Sequence, residues 1–172
     1  MMKLTRRSLL GAAALMPLAV SGPAWADLKV PVIKAFLWDM GPDSMANLGK
    51  VNGMGMAMSG RPDPTNATMG ITTDLPSIRA GDVTFEATNT SRVMVHEMIV
   101  IPMADGEKEV PYNKDEMRID EDKAGAIGEV SELDPGASGK LTLRLKPGTY
   151  MLVCNLPGHY ILGMWTHFKV TP

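Results

Sequence analysis

The chain has 172 residues, of which 45% are hydrophobic and 21% charged, and its formal net charge at pH 7 is −2. All 19 acidic residues but only 14 of the 17 basic residues lie in residues 27–172, so this part carries a formal charge of −5. That balance argues against nucleic acid as a partner, because nucleic-acid-binding proteins usually carry basic patches.

Residues 1–26 have the features of a cleaved export signal. Three basic residues within the first seven positions precede an uncharged, mostly apolar stretch (9–20), and Ala24-Trp25-Ala26 is a small-x-small cleavage site. The segment Thr5 to Leu10 also resembles a twin-arginine signal. The apolar stretch is shorter than the about 20 residues that span a bilayer. We therefore expect a periplasmic protein without stable membrane insertion, whose mature part, 27–172, is a single domain.

The first predicted strand runs from Lys29 to Met40, and Pro31 near its start suits an edge strand or the beginning of a strand. The composition then changes over residues 41–70, where Gly, Pro, Asn and Met dominate and no apolar period is kept. We interpret this segment as a long Met- and Gly-rich loop inserted into the domain.

Strand-like runs return after residue 70. They cover 70–76, 83–88, 93–101, 140–145, 149–154 and 166–170, with turns at 79–82, 89–91, 133–136 and 146–148. The run 93–101 is apolar on both faces except at His96 and Glu97, which indicates a strand inside a sheet. Residues 104–128 are polar and acidic, and we expect a solvated loop or a short helix there. Short strands separated by Gly and Pro turns predict an all-β sandwich or barrel.

The loop 154–164 contains the only cysteine of the chain, Cys154, together with His159 and Met164. A thiolate, an imidazole and a thioether form a soft ligand set that suits copper better than Mg, Ca or Mn, whose sites are built from oxygens. Metal ligation would also protect a thiol that cannot form an internal disulfide in an oxidising compartment. A trigonal site of two histidines and one cysteine needs a second imidazole, and His96 is the expected source. The third histidine, His167, lies on the outgoing strand and is expected at the surface.

The pattern Cys154-x4-His159-x4-Met164 after a strand, with His96 alone on an earlier strand, resembles the cupredoxins, the type 1 blue copper proteins. The spacing is most similar to that of the rusticyanin and auracyanin type. The sequence 96–101, together with Pro-Gly-His-Tyr-x-x-Gly-Met at 157–164, is also similar to periplasmic cupredoxin-like proteins of copper tolerance. The resemblance covers residues 71–172. It implies a Greek-key cupredoxin fold and one copper ion, with His96, Cys154 and His159 in a plane and Met164 on the axis.

The resemblance implies a periplasmic carrier of single electrons. The alternative is a protein that sequesters or buffers copper for copper tolerance. An enzyme is the weakest interpretation, because four protein ligands leave no obvious position for a substrate and three histidines cannot build a second metal cluster. The expected partner is a redox protein such as a cytochrome or an oxidase, docking on an apolar rim near His159 that includes Leu156 and Ile161. The expected oligomeric state is a monomer.

Two further features stand apart from this resemblance. Glu97 occupies the position where the plastocyanin and azurin pattern has an asparagine, so the groups around the ligands differ. Met54, Met56 and Met58 alternate with small residues and could bind a second Cu(I) ion through their thioethers. The competing interpretation is that these methionines only fill irregular gaps in the packing.

Overall fold

The computed structural model describes residues 29–46, 48, 67–103 and 110–172. The predicted export signal and the Met54, Met56 and Met58 segment lie outside these ranges. The strands in the described ranges are β1 (Val32–Asp39), β2 (Met69–Thr73), β3 (Ser77–Arg79), β4 (Gly81–Asn89), β5 (His96–Met103), β6 (Tyr112–Asn113), β7 (Arg118–Ile119), β8 (Gly128–Leu133), β9 (Ser138–Leu145), β10 (Gly148–Val153) and β11 (Trp165–Thr171). A 3₁₀ helix (Pro42–Met45) follows β1, and a one-turn helix α1 (Glu121–Ala124) follows β7.

The strands form two sheets that pack face to face. The first sheet has the order β2-β1-β4-β9 and the second has the order β3-β11-β10-β5-β8, while β6 and β7 form a small separate hairpin. Most neighbouring strands are antiparallel, but β1 pairs with β4 and β3 pairs with β11 in parallel. The predicted all-β sandwich is therefore confirmed. None of the helices in the described ranges is long and apolar enough to cross a membrane.

Strand β1 shows how the sequence pattern sets the inner face of the first sheet. Successive side chains of a strand point to opposite faces, and here Ile33, Ala35 and Leu37 are completely buried while their neighbours are more exposed. The strand begins directly after Pro31, which confirms the prediction that this proline marks the beginning of a strand. The other alternative, an edge strand, is wrong, because β1 lies between β2 and β4.

The second sheet is buried on both faces. Its inner face contributes to the core between the two sheets, and its outer face contributes to a second cluster of buried residues. This explains why β5 is apolar throughout, and the prediction that it lies inside a sheet is confirmed. The segment 110–124 packs on this outer face through Val110, Ile119 and Ala124.

The prediction for residues 104–128 was therefore only partly correct. The short helix exists as α1, but the described part of this segment also forms the β6–β7 hairpin and packs on the second sheet. Strand β8 was missed, because Val130 and Leu133 are its only apolar residues and it is paired on one side alone. Residues 93–95, predicted as strand, belong instead to a connection that the buried Asn89 side chain fixes by donating to the carbonyl groups of Met94 and Leu133.

We predict that Phe85→Ala strongly destabilises the sandwich. The ring of Phe85 in the first sheet meets the ring of Phe168 in the second sheet edge to face, with centroids 5.3 Å apart, and both residues are fully buried. Truncation of such a residue costs about 3–5 kcal/mol. The measurement is the free energy of unfolding from urea denaturation.

The matched control is Thr84→Ala on the outer face of the same strand, where the hydroxyl shares an exposed hydrogen bond with Thr142. Its loss should cost about 1 kcal/mol or less. Equal effects of the two substitutions would contradict the proposed importance of the contact between the sheets.

Candidate metal centre

The ligand loop, residues 154–164, connects β10 to β11 through a series of tight turns. Its ends are joined by a hydrogen bond from the Cys154 N–H to the Met164 carbonyl, and the Met164 N–H donates to the carbonyl of His159 in the middle of the loop, both at 3.0 Å. Gly158 and Gly163 adopt φ angles of 84° and 97°, a region that favours glycine. These turns fold a loop of eleven residues back toward the point where it began.

The structure brings three of the four predicted ligands together. One nitrogen of His96, the sulfur of Cys154 and one nitrogen of His159 all lie within 4.8 Å of one another. The Cys154 sulfur is 3.3 Å from His159 Nδ1, and the two imidazole rings are 5.2 Å apart between centroids. His96 and Cys154 are completely buried, and His159 is 5% exposed. The three donors come from β5, from the end of β10 and from the loop.

The Cys154 sulfur is surrounded by backbone donors in an otherwise dry site. The N–H of Glu97 donates to the sulfur at 3.5 Å, and the N–H of Leu156 donates to it as well. Burial nevertheless raises the pKa of the Cys154 thiol to about 12, because these two donors offset only part of the lost hydration. A bound cation would supply the positive charge that a thiolate requires at this position.

The two imidazoles are neutral at pH 7, which is the form that binds metal ions. Burial and the nearby His96 lower the pKa of His159 to about 4. Burial also lowers the pKa of His96, although Asp39 acts in the opposite direction. Asp39 Oδ2 is 2.8 Å from His96 Nε2, while His96 Nδ1 is buried and has no hydrogen-bond partner in the described part of the chain. A metal ion at this place would satisfy that nitrogen, so the residues present fit a metal.

Met164 is completely buried in the same core cluster as Cys154, and its backbone is bonded to two residues of the loop. Its role as the fourth ligand stays a prediction. His167 is outside the cluster of donor atoms, as predicted. The expectation that it lies at the surface was wrong, because it is half-buried with its ring 5.4 Å from that of Trp165.

Glu97 ties the beginning of the ligand loop to β5. Its carboxylate is largely buried and accepts the N–H of Asn155 at 3.0 Å, and burial, which outweighs this hydrogen bond, raises the pKa of Glu97 to about 7. The sequence indicated only that Glu97 departs from the asparagine of related patterns. In the structure the carboxylate bridges two of the elements that carry the donors.

Asn155 links the ligand loop to the segment that covers the outer face of the second sheet. Its side-chain oxygen accepts the N–H of Ile119 at 2.6 Å, and its NH₂ group donates to the Ile119 carbonyl and to Glu121. Sequence reasoning missed both Asn155 and Asp39. The position of Asn155 directly after the cysteine is a weak signal, whereas nothing in the sequence connects Asp39 with His96.

No family model matches the chain. Auracyanin-B of Chloroflexus aurantiacus is 42% identical over 52 residues, which are 30% of this chain and 22% of auracyanin-B. The match thus spans about a fifth of that relative. Among solved structures, reduced rusticyanin is 20% identical, with 83% of this chain and 80% of rusticyanin covered and a TM-score of 0.51. A structure of substituted rusticyanin is 19% identical, with coverage of 81% and 76% and a TM-score of 0.50.

The two rusticyanin structures show that the sandwich is a cupredoxin fold, and the resemblance predicted from the sequence is confirmed. The segment shared with auracyanin-B adds a relation in sequence to the likeness in fold. The described part of the chain therefore has the cupredoxin fold.

Proposed function

We propose that this chain is a cupredoxin that holds one copper ion through His96, Cys154, His159 and Met164 and carries single electrons. Two observations carry the proposal. The donor atoms of the three buried residues His96, Cys154 and His159 lie within 4.8 Å of one another, and His96 Nδ1 is buried with no hydrogen-bond partner in the described ranges. Soft sulfur and imidazole donors of this composition suit copper. The bound ion would supply the redox chemistry by gaining and losing one electron.

The residues around the donors favour a carrier over an enzyme. Donors held in place by the surrounding packing would need to move little when a bound ion gains or loses an electron, which would keep the reorganisation cost small. Tyr160, Leu162 and Trp165 are at most 1% exposed and limit the access of water. With four protein ligands, the proposed site offers no obvious position for a substrate.

The surface around His159 is the proposed site of electron exchange. His159 lies on the loop, 5% exposed, and Leu156, Pro157 and Ile161 beside it are half-buried or exposed. An apolar rim of this kind suits the small interfaces of weak redox encounters. We infer that a redox protein such as a cytochrome or an oxidase docks there on a monomer of this chain.

The cellular place of this exchange is proposed from the sequence. The basic start, the short apolar stretch and the small-x-small site within residues 1–26 support export. We propose that the domain 27–172 acts in the periplasm.

We predict that the purified protein binds one copper ion and then shows an intense visible sulfur-to-copper charge-transfer band. Cys154→Ser removes the sulfur, so this band should fall by more than about tenfold. His167→Gln is the matched control, because it changes a histidine outside the cluster and should preserve the band. Absorption spectra measure the intensity of the band, and EPR spectra report the surroundings of the Cu(II) ion. An unchanged band in Cys154→Ser would contradict Cys154 as a ligand.

Met164→Leu should raise the reduction potential and keep the charge-transfer band. Loss of a weak axial thioether destabilises Cu(II) more than Cu(I). A tenfold change in relative affinity corresponds to about 59 mV for one electron. The control is Met151→Leu, which changes a fully buried methionine in the outer core cluster. Voltammetry measures the reduction potential of each variant. Equal potentials for Met164→Leu and Met151→Leu would remove Met164 from the proposed ligand set.

Leu156→Glu and Ile161→Glu should slow electron self-exchange between oxidised and reduced copies by about tenfold, because like charges meet in the encounter complex. NMR line broadening in mixtures of the two forms measures the rate. Val32→Glu is the control, since this exposed residue lies at the other end of β1 from Asp39. If Leu156→Glu and Ile161→Glu exchange electrons as fast as the control and the unaltered protein, the proposed docking rim is wrong.

A further inference from the structure

Asp39 is a buried carboxylate that no step of the proposed electron transfer has used. It is the last residue of β1, and its side chain is only 1% exposed. Burial of a carboxylate costs several kcal/mol unless other groups compensate for the lost hydration. The position of Asp39 in the sandwich therefore requires specific partners.

Three donors surround this carboxylate. Oδ1 accepts the N–H of Gly41 at 2.6 Å, the Ser91 hydroxyl donates to the carboxylate, and Oδ2 is 2.8 Å from His96 Nε2. Because an ionised carboxylate can only accept hydrogen bonds, His96 Nε2 must carry a proton. In a neutral ring the other nitrogen, Nδ1, then holds a free lone pair.

The two other groups that donate to Asp39, from Gly41 and Ser91, lie outside the ligand loop. Gly41 has a φ of 98°, which lets the chain after β1 reverse so that its own N–H returns to Asp39. Ser91 lies in the turn after β4, and its N–H donates to the buried Asn89 side chain. The carboxylate is thus held by the first sheet, whereas His96 and the ligand loop belong to the second sheet.

Nδ1 of His96 is the nitrogen left over by this arrangement. It is buried, and it has no hydrogen-bond partner within the described part of the chain. His96 also belongs to the group of donors that includes Cys154 and His159. The tautomer imposed by Asp39 is therefore the one that presents a lone pair at Nδ1 for a metal ion.

Resting on the copper site proposed above, we propose that Asp39 is a positioning residue of that site. Its carboxylate fixes the tautomer and the orientation of His96, and its negative charge, one imidazole away from the ion, favours Cu(II) over Cu(I). Carboxylates that hold a ligating histidine in this way commonly contribute 10- to 100-fold to metal affinity.

The first test uses the metal-free protein and so does not depend on copper. In the unaltered protein, ¹⁵N NMR of the imidazoles should show His96 as the single tautomer protonated at Nε2. Asp39→Ala removes the acceptor and should give a mixture of tautomers or the opposite one. If His96 keeps the same single tautomer in Asp39→Ala, the inference is overturned.

The second test uses Asp39→Asn, which keeps the size of the side chain and removes its charge. Affinity for Cu(II), measured by competition with a chelator, should fall about 10- to 100-fold. Affinity for Cu(I) should fall less, so the reduction potential should rise by about 59 mV for each factor of ten in the ratio. An unchanged affinity and potential would overturn the inference.

The matched control is Asp74→Asn, because Asp74 also accepts a backbone N–H, that of Lys34, but at an exposed position away from the donors. It should leave tautomer, affinity and potential unchanged. Circular dichroism of each variant confirms that it is folded. A protein that binds no copper while His96 shows the tautomer dependence on Asp39 would refute the proposed function and preserve the contact inferred here.

Discussion

The burial of three donor residues, His96, Cys154 and His159, is the constraint around which the proposed metal centre is arranged. Each buried polar group without a partner costs about 1–3 kcal/mol, and the fold supplies partners for almost all of them. The Cys154 sulfur receives two backbone N–H groups, and His96 Nε2 is bonded to Asp39. His96 Nδ1 is left over in the described part of the chain. A metal ion bound as proposed would give this nitrogen a partner.

The ligand loop lies where the two hydrophobic clusters meet. Cys154 and Met164 belong to the cluster between the sheets, whereas Tyr160 and Trp165 belong to the cluster on the outer face of the second sheet. Packing from both sides, together with the hydrogen bonds of Asn155 to the covering segment, leaves the donors little freedom to move. A loop held in this way suits electron transfer, since the donors are placed before any ion binds.

Local features of this site could be predicted from the sequence, and contacts between distant segments could not. Cys154, His159 and Met164 lie within eleven residues, and alternation of apolar residues identified most strands. The contact between Asp39 and His96 joins residues 57 positions apart and depends on the end of β1 lying near the start of β5. Hydrophobic alternation decides which face of a strand is buried, but it does not decide which strands become neighbours. For the same reason the sequence did not predict that Ile119, in a polar segment, packs on the outer face of the second sheet.

The negative charges of the proposed centre come from both sheets, and they would affect whether a bound copper ion prefers the Cu(II) or the Cu(I) state. With an ion bound, a thiolate at Cys154 and the carboxylate of Asp39 would place two negative charges in a buried region. A divalent copper ion would balance both charges, whereas a monovalent ion would leave one of them uncompensated, and an uncompensated charge is costly at low dielectric. The second sheet and its ligand loop thus provide the donors of the proposed copper site. The first sheet provides Asp39, so the proposed reduction potential would depend on the packing of the two sheets as well as on the loop.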